Sequence, residues 1–301
     1  MAREWFAKYE STLSEKHAKK LRRYLENTIF PAIGGKPVTQ LEPADFLQIV
    51  QPSERLGHHE TAHKLMRLCG QVTRYARITG RVKYDVAAGL TEALTPVQTT
   101  HFAAVTLPDD IGQLLRDIDA YVGYTSVVYC LKILPYVFTR PSELRLAHWS
   151  EFDFKNATWI IPASRMKMRR EHVVPLSKQV LVLLNELHAY TGNGKLLFPS
   201  ARALTTPISD AAPLAALRRM GYGKETMTLH GFRAMASTRL NELGFRADVI
   251  EAQLAHKEPD TVRLAYNRAE YMDERCRLMQ AWADYLDGLR NTQQKRSKEE
   301  V

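Results

Sequence analysis

The chain has 301 residues, enough for two domains with buried cores or one large one. Its 42 Lys and Arg against 33 Asp and Glu give a formal charge of +9, which favours an anionic partner over an acidic small substrate. Cys69, Cys130 and Cys276 form no metal-type cluster and no even disulfide set, and the most apolar stretch, 127–138, is short and broken by Lys132 and Pro135. A zinc module, a disulfide-stapled secreted scaffold and a membrane span are thereby excluded, and a reducing cytoplasm is the expected setting.

Trp5, Phe6 and Tyr9 recur at helical spacing, in a pattern that begins at residue 3 without a cap, as though the chain started inside a helix. Ser14-Glu15 starts a second helix, with Leu21, Tyr24, Leu25 and Ile29 inward and Lys19, Lys20, Arg22 and Arg23 outward, ending before Pro31 and Gly34-Gly35. Pro43 opens a helix through Val50, a long one runs from Glu60 to Thr79 with Gly80 as its stop, and a short one covers Asp85 to Leu94. Residues 1–95 therefore read as an all-α module, and 96–105 as a small, polar linker.

A second domain is expected over 106–288. Leu107-Pro108-Asp109-Asp110 starts a helix to about 120, another covers 123–137, and Pro141 begins a further one after Arg140. The period then shortens: Thr158-Trp159-Ile160-Ile161 and Glu171-His172-Val173-Val174 read as two strands of a hairpin around a basic turn. Residues 177–287 return to helices, and 289–301 read as a charged, disordered tail. The fold class is mainly α with a small β-sheet or hairpin: an all-α domain followed by an α+β domain.

Five segments of the second domain carry chemistry. They are Thr139-Arg140-Pro141-Ser142-Glu143-Leu144, the turn Arg165-Met166-Lys167-Met168-Arg169, His230-Gly231-Phe232-Arg233, Leu254-Ala255-His256-Lys257 and Ala265-Tyr266-Asn267-Arg268. Guanidinium forks match phosphate geometry and hold charge as it develops in a transition state. Arg140 stands before a proline-opened helix, at an N-terminus suited to an anion, and His230 and Arg233 are spaced to share a helix face. A tyrosine has a pKa near 10, so about one in a thousand is phenolate at neutral pH, and it needs a base or a cationic setting to act.

At these strings, in this order and spacing, the chain resembles the tyrosine recombinase (phage integrase) family, and within it the integrases of P4-like prophages and genomic islands. The resemblance covers nearly the whole chain. It implies a core-type DNA-binding domain followed by a catalytic domain. The reaction it implies is site-specific cutting and rejoining of double-stranded DNA at attachment sites, through a 3′-phosphotyrosyl link and a Holliday junction. By the same resemblance Tyr266 is the nucleophile, ahead of Tyr271, although it lies ten residues after His256 where nine is the commonest spacing. Arg140, Arg233, His230 and His256 surround the phosphate, Lys167 protonates the leaving 5′-oxygen, and Glu143 braces Arg140.

DNA contacts are expected from Lys19, Lys20, Arg22, Arg23, Arg165, Arg169 and Arg170. Four protomers are expected on two DNA sites, with the helical segment 270–287 packing on a neighbouring protomer and accessory bending or excision proteins as further partners. Neither metal nor ATP is expected, because no carboxylate cluster or P-loop is present and the phosphotyrosyl ester conserves the diester's free energy. Relatives of this type carry an additional N-terminal arm-binding domain, which is not seen in this sequence. A type IB topoisomerase-like enzyme and a catalytically silent DNA-binding regulator are the alternatives.

Overall fold

The computed structural model describes residues 1–98, 102–166, 169–255 and 271–299, with side chains described through 292. The chain divides into two compact units, Met1–Thr100 and His101–Val301.

The first unit holds helices α1 (Ala2–Glu10), α2 (Glu15–Tyr24), α3 (Phe30–Ile33), α4 (Pro43–Arg55) and α5 (His59–Ile78). Its core forms where the apolar stripes of these helices meet, with Trp5, Phe6, Leu25, Phe46, Val50, Leu65 and Met66 buried. Two expectations change. The helical path does not stop before Pro31 but continues to Ile33. A π turn at Leu25–Ile29 precedes the proline, and Pro31 then falls in the first turn of α3, where a missing N–H costs little. The helix expected over 85–94 is only a 3₁₀ turn, Leu90–Ala93. Asp85 accepts hydrogen bonds from Thr73 Oγ1 (2.5 Å) and the Ala87 nitrogen (3.2 Å), and Gly89 adopts φ +75°, so local turn bonds displace the helix.

The second unit contains α6 (Pro108–Ala120), α7 (Thr125–Val137), α8 (Pro141–Arg145), strands β1 (Phe152–Asp153), β2 (Thr158–Ile161) and β3 (His172–Pro175), then α9 (Lys178–Thr191), α10 (Ala211–Arg219), α11 (Gly231–Glu242), α12 (Ala247–Gln253) and α13 (Met272–Glu299). The strands form one antiparallel sheet in chain order, β2 pairing Trp159 with Val174 and Ile161 with His172. Strand alternation turns Trp159, Ile161, His172 and Val174 to the buried face. Strand β1 adds to the expected hairpin; at two residues it is too short to leave a periodic signal. Helix α7 is apolar on most of its surface and lies in the core, with Lys132 paired to Asp119 at 3.8 Å.

Two further expectations are revised here. Ala103 and Val105 belong to the second unit rather than to a linker: the Ala103 carbonyl accepts from the Thr228 nitrogen (3.1 Å), and Val105 is buried. The last helix does not give way to a disordered tail at 289 but runs to Glu299. Arg290 anchors it, pairing with Asp119 at 3.2 Å and Asp287 at 2.9 Å, and the Gln, Lys, Arg and Glu that make the segment look unstructured are also good helix formers.

Candidate active site

Helix α7 ends at Phe138, whose φ of +35° reverses the chain and sends Thr139-Arg140 toward α8. Pro141 opens α8 and keeps Arg140 extended at its N-cap. Glu143, three residues into the turn, is 4% exposed and holds Arg140 twice: its Oε2 accepts from the Arg140 backbone nitrogen (2.9 Å) and its Oε1 from the guanidinium (2.8 Å). The other arm of Arg140 donates to the Ala255 carbonyl at 3.2 Å. Among the described residues these contacts use two of its five guanidinium N–H groups, and the others can meet an anion.

Arg233 stands in the first turn of α11 and is buried. It grips two helix ends, donating to the Phe138 carbonyl (3.0 Å) and to the Leu254 carbonyl (2.7 Å). Burial, and next the Arg140 charge, pull its pKa down to about 10, which still leaves it cationic at neutral pH. The start of α11 needs Gly231, because a Cβ there would lie 2.4 Å from the Ala103 carbonyl oxygen.

His230 occupies the N-cap of α11, and its ring stacks on Phe102 with centroids 4.8 Å apart. Partial desolvation, followed by the charges of Arg233 and Arg140, lowers its pKa below the ordinary histidine value. The imidazole is therefore neutral at neutral pH and able to take a proton. A second histidine, His172 of β3, faces the same region from inside, its Nε2 3.1 Å from the Gln253 carbonyl. Two guanidinium groups and a neutral imidazole thus converge at the ends of α7, α11 and α12, an arrangement suited to holding a phosphate and moving a proton beside it.

Residues 1–93 match the phage integrase central domain, and residues 105–272 match the phage integrase family. The chain belongs to the phage integrase family. It is 38% identical to an integrase of Enterobacteria phage P4, over 97% of this chain and 69% of that protein. It is 36% identical to prophage integrase IntA of Escherichia coli (strain K12), over 95% of this chain and 69% of that protein. Among solved structures, a lambda integrase dimer bound to a COC' core site aligns over 88% of this chain and 76% of that one, with a TM-score of 0.65 and 15% identity. The Tn1549 transposon integrase in complex with circular intermediate DNA aligns over 89% of this chain and 99% of that one, with a TM-score of 0.62 and 16% identity. These two share the fold. The protein is a P4-like tyrosine site-specific recombinase.

In this integrase, Arg140, Glu143, His230 and Arg233 come together as described, whereas Lys167, His256 and Tyr266 lie outside the described residues. Tyr271 is described; its ring lies against the Arg246 guanidinium at 5.3 Å. Arg165, expected to reach DNA, instead turns inward: it donates to the Glu143 carbonyl (3.0 Å) and pairs with the Glu151 carboxylate, which also accepts from Trp159 Nε1 (3.0 Å). Burial lowers its pKa, and only 17% of its side chain is exposed. Arg169 and Arg170 remain exposed.

The segment expected to pack on a neighbouring protomer is described from residue 271, and its apolar residues lie inside this chain. From α13, Leu278, Met279, Trp282, Ala283 and Leu286 are all buried in this chain's own core. Their spacing makes one stripe, and α6 and α7 cover it.

On the first unit, Lys19, Lys20, Arg22 and Arg23 are exposed, but Lys19 pairs with Glu15 at 2.7 Å and Arg22 with Glu10 at 2.6 Å. Lys16, His17 and Lys20 of α2 and Lys64 and Arg67 of α5 line a groove of about 530 Å³. Lys64 and Arg67 escape a sequence reading, because nothing in α5 alone shows that its polar face meets α2. Among the described residues no set of three His, Cys, Asp or Glu is placed to hold a metal ion, and no helix is long and apolar enough to cross a membrane.

Proposed function

We propose that this integrase recombines attachment-site DNA with Tyr266 as nucleophile. The Tyr266 oxygen attacks the scissile phosphorus and the bond to the 5′-oxygen breaks. His230 takes the phenolic proton and Lys167 supplies one to the leaving 5′-oxygen, giving a 3′-phosphotyrosyl diester and a 5′-hydroxyl. Arg140, Arg233 and His256 hold the non-bridging oxygens. The 5′-hydroxyl of a partner strand then attacks the phosphotyrosyl bond and expels the tyrosine, so the number of diester bonds is conserved and no ATP is consumed. The observation that carries this reading is the pairing of Arg140 and Arg233 on the Ala255 and Leu254 carbonyls, immediately ahead of His256 in the chain.

Double-stranded DNA is the substrate and four protomers act on two sites, a reading supported by the lambda integrase tetramer bound to a Holliday junction, which shares the fold. Accessory bending or excision proteins assist the choice of direction, and the protein works in the cytoplasm on the nucleoid. The exposed cations of α2 and the turn residues Arg169 and Arg170 make backbone phosphate contacts.

Mixing the protein with two duplexes bearing the attachment sequences of its element, without nucleotide, tests the proposal. Recombinant joints are the expected product. Supercoil relaxation without joints would favour a topoisomerase-like enzyme, and tight binding without cleavage would favour a silent regulator.

A further inference from the structure

A helix leaves its last carbonyls without intrahelical partners. At the end of α12 three consecutive ones are taken by side chains from three other parts of the second unit. Gln253 O faces His172 Nε2 of β3 at 3.1 Å, Leu254 O accepts from Arg233 of α11 at 2.7 Å, and Ala255 O accepts from Arg140 at 3.2 Å. Ala255 adopts φ +49°, a left-handed conformation that a residue with a Cβ holds only when its surroundings impose it. Both arginines are thus aimed by one short turn of backbone.

That turn needs a fixed end. Gln253 is 1% exposed and is held twice: His172 takes its main-chain carbonyl, and Arg275 of α13, itself 3% exposed, donates from Nε to its side-chain oxygen at 2.9 Å. We propose that His172 is a positioning residue for recombination, clamping the end of α12 so that the next two carbonyls orient Arg233 and Arg140. The proposal rests on the reading of those arginines as the groups that hold the scissile phosphate.

The residue type suits the task. A carbonyl can only accept, so Nε2 of His172 must carry the ring proton. A cation would be unwelcome: burial, and then the charges of Arg275, Arg233 and Arg140, pull the pKa of His172 down to about 3. Histidine therefore supplies a neutral donor where lysine or arginine would add repulsion. Its inward direction follows from β3, where it shares the buried face with Val174.

Three variants test this: His172→Phe keeps the ring bulk without the donor, His172→Gln keeps a neutral N–H donor, and Val174→Ala perturbs the same strand away from the clamp. Each is assayed for DNA affinity and for single-turnover formation of the covalent complex on a nicked attachment duplex. A misplacement of about 1 Å in a catalytic group costs on the order of 100-fold. His172→Phe should therefore slow cleavage by roughly 10- to 100-fold with DNA affinity little changed. His172→Gln should recover most of the rate, and Val174→Ala should cleave at nearly the parent rate at a temperature where it is folded. Cleavage by His172→Phe within about two-fold of the parent, or His172→Gln as slow as His172→Phe, would overturn the proposal.

If the parent protein makes no covalent complex, the phosphate reading fails, and the clamp is judged by nuclear magnetic resonance of the DNA-free protein. The clamp predicts a ring proton on His172 Nε2 and shifted Arg140 and Arg233 side-chain signals in His172→Phe. Unshifted signals, or a proton on Nδ1, would refute it.

Discussion

Glu143 accepts two hydrogen bonds from Arg140, one from its backbone nitrogen at 2.9 Å and one from its guanidinium at 2.8 Å. One buried carboxylate thus caps α8 and aims the arginine beside it. Glu143→Gln can still accept the backbone bond but loses the charge facing the guanidinium, so cleavage should slow by roughly tenfold while the fold survives. Glu143→Ala removes both acceptors and should also lower unfolding free energy by about 1–3 kcal/mol. Single-turnover cleavage and urea unfolding of the two variants check the pair. Cleavage by Glu143→Gln at the parent rate would show that the charge contributes nothing beyond the cap.

Arg165 ties the start of the basic turn to α8 and to Glu151 rather than facing solvent. Arg165→Ala should destabilise the second unit by about 1–3 kcal/mol, through buried acceptors left unmatched. It should leave the salt dependence of DNA binding unchanged. Arg169→Ala or Arg170→Ala should do the reverse, each lowering the slope of log affinity against log salt by about one with little effect on stability. Binding titrations at several salt concentrations separate the two behaviours.

His172 and His230 both have folded-state pKa values below the unfolded value of a histidine. The unfolded chain therefore binds more protons at these two sites than the folded chain. Their contribution is fully present above about pH 6.5 and is lost as pH falls from there toward the folded values. Near pH 5.5 an unfolded histidine is mostly protonated and His172 is not, so this residue alone makes stability fall by about 1.2 kcal/mol for each pH unit of acidification. Denaturation between pH 7 and pH 5, before most carboxylates titrate, should show this slope, and His172→Gln should reduce it.

Trp282 is fully buried, donates to the Pro135 carbonyl at 2.9 Å and meets Phe138 edge-on with centroids 6.1 Å apart. Trp282→Ala should cost about 3–5 kcal/mol in the isolated chain. That loss should be independent of protein concentration, because the side chain packs in its own core. A concentration-dependent loss would return α13 to an interface between protomers.

Local rules make part of this legible in the sequence. Pro141 and Glu143 announce the start of α8, and that cap also fixes where Arg140 stands. The strand β2 shows in its short run of strand-favouring residues, and His230 and Arg233 in their spacing at the start of α11. Burial and distant pairing do not show. Several arginines and a lysine cluster around the basic turn, and only packing against Glu143 and Glu151 distinguishes Arg165 from the others. The bond from His172 to Gln253 joins positions 81 residues apart, beyond any periodic signal. The charged end of α13 misleads because charge marks both disorder and exposed helix, and the Arg290 pair with Asp119 cannot be read locally.

Tyr266 is proposed, among thirteen tyrosines, as the residue that joins to DNA. Its sequence neighbour Tyr271 is engaged by Arg246. Incubating the parent protein, Tyr266→Phe and Tyr271→Phe with a nicked attachment duplex and resolving covalent adducts on a denaturing gel measures it directly. An adduct is expected for the parent and for Tyr271→Phe and none for Tyr266→Phe, with all three binding the duplex. An adduct formed by Tyr266→Phe would contradict it.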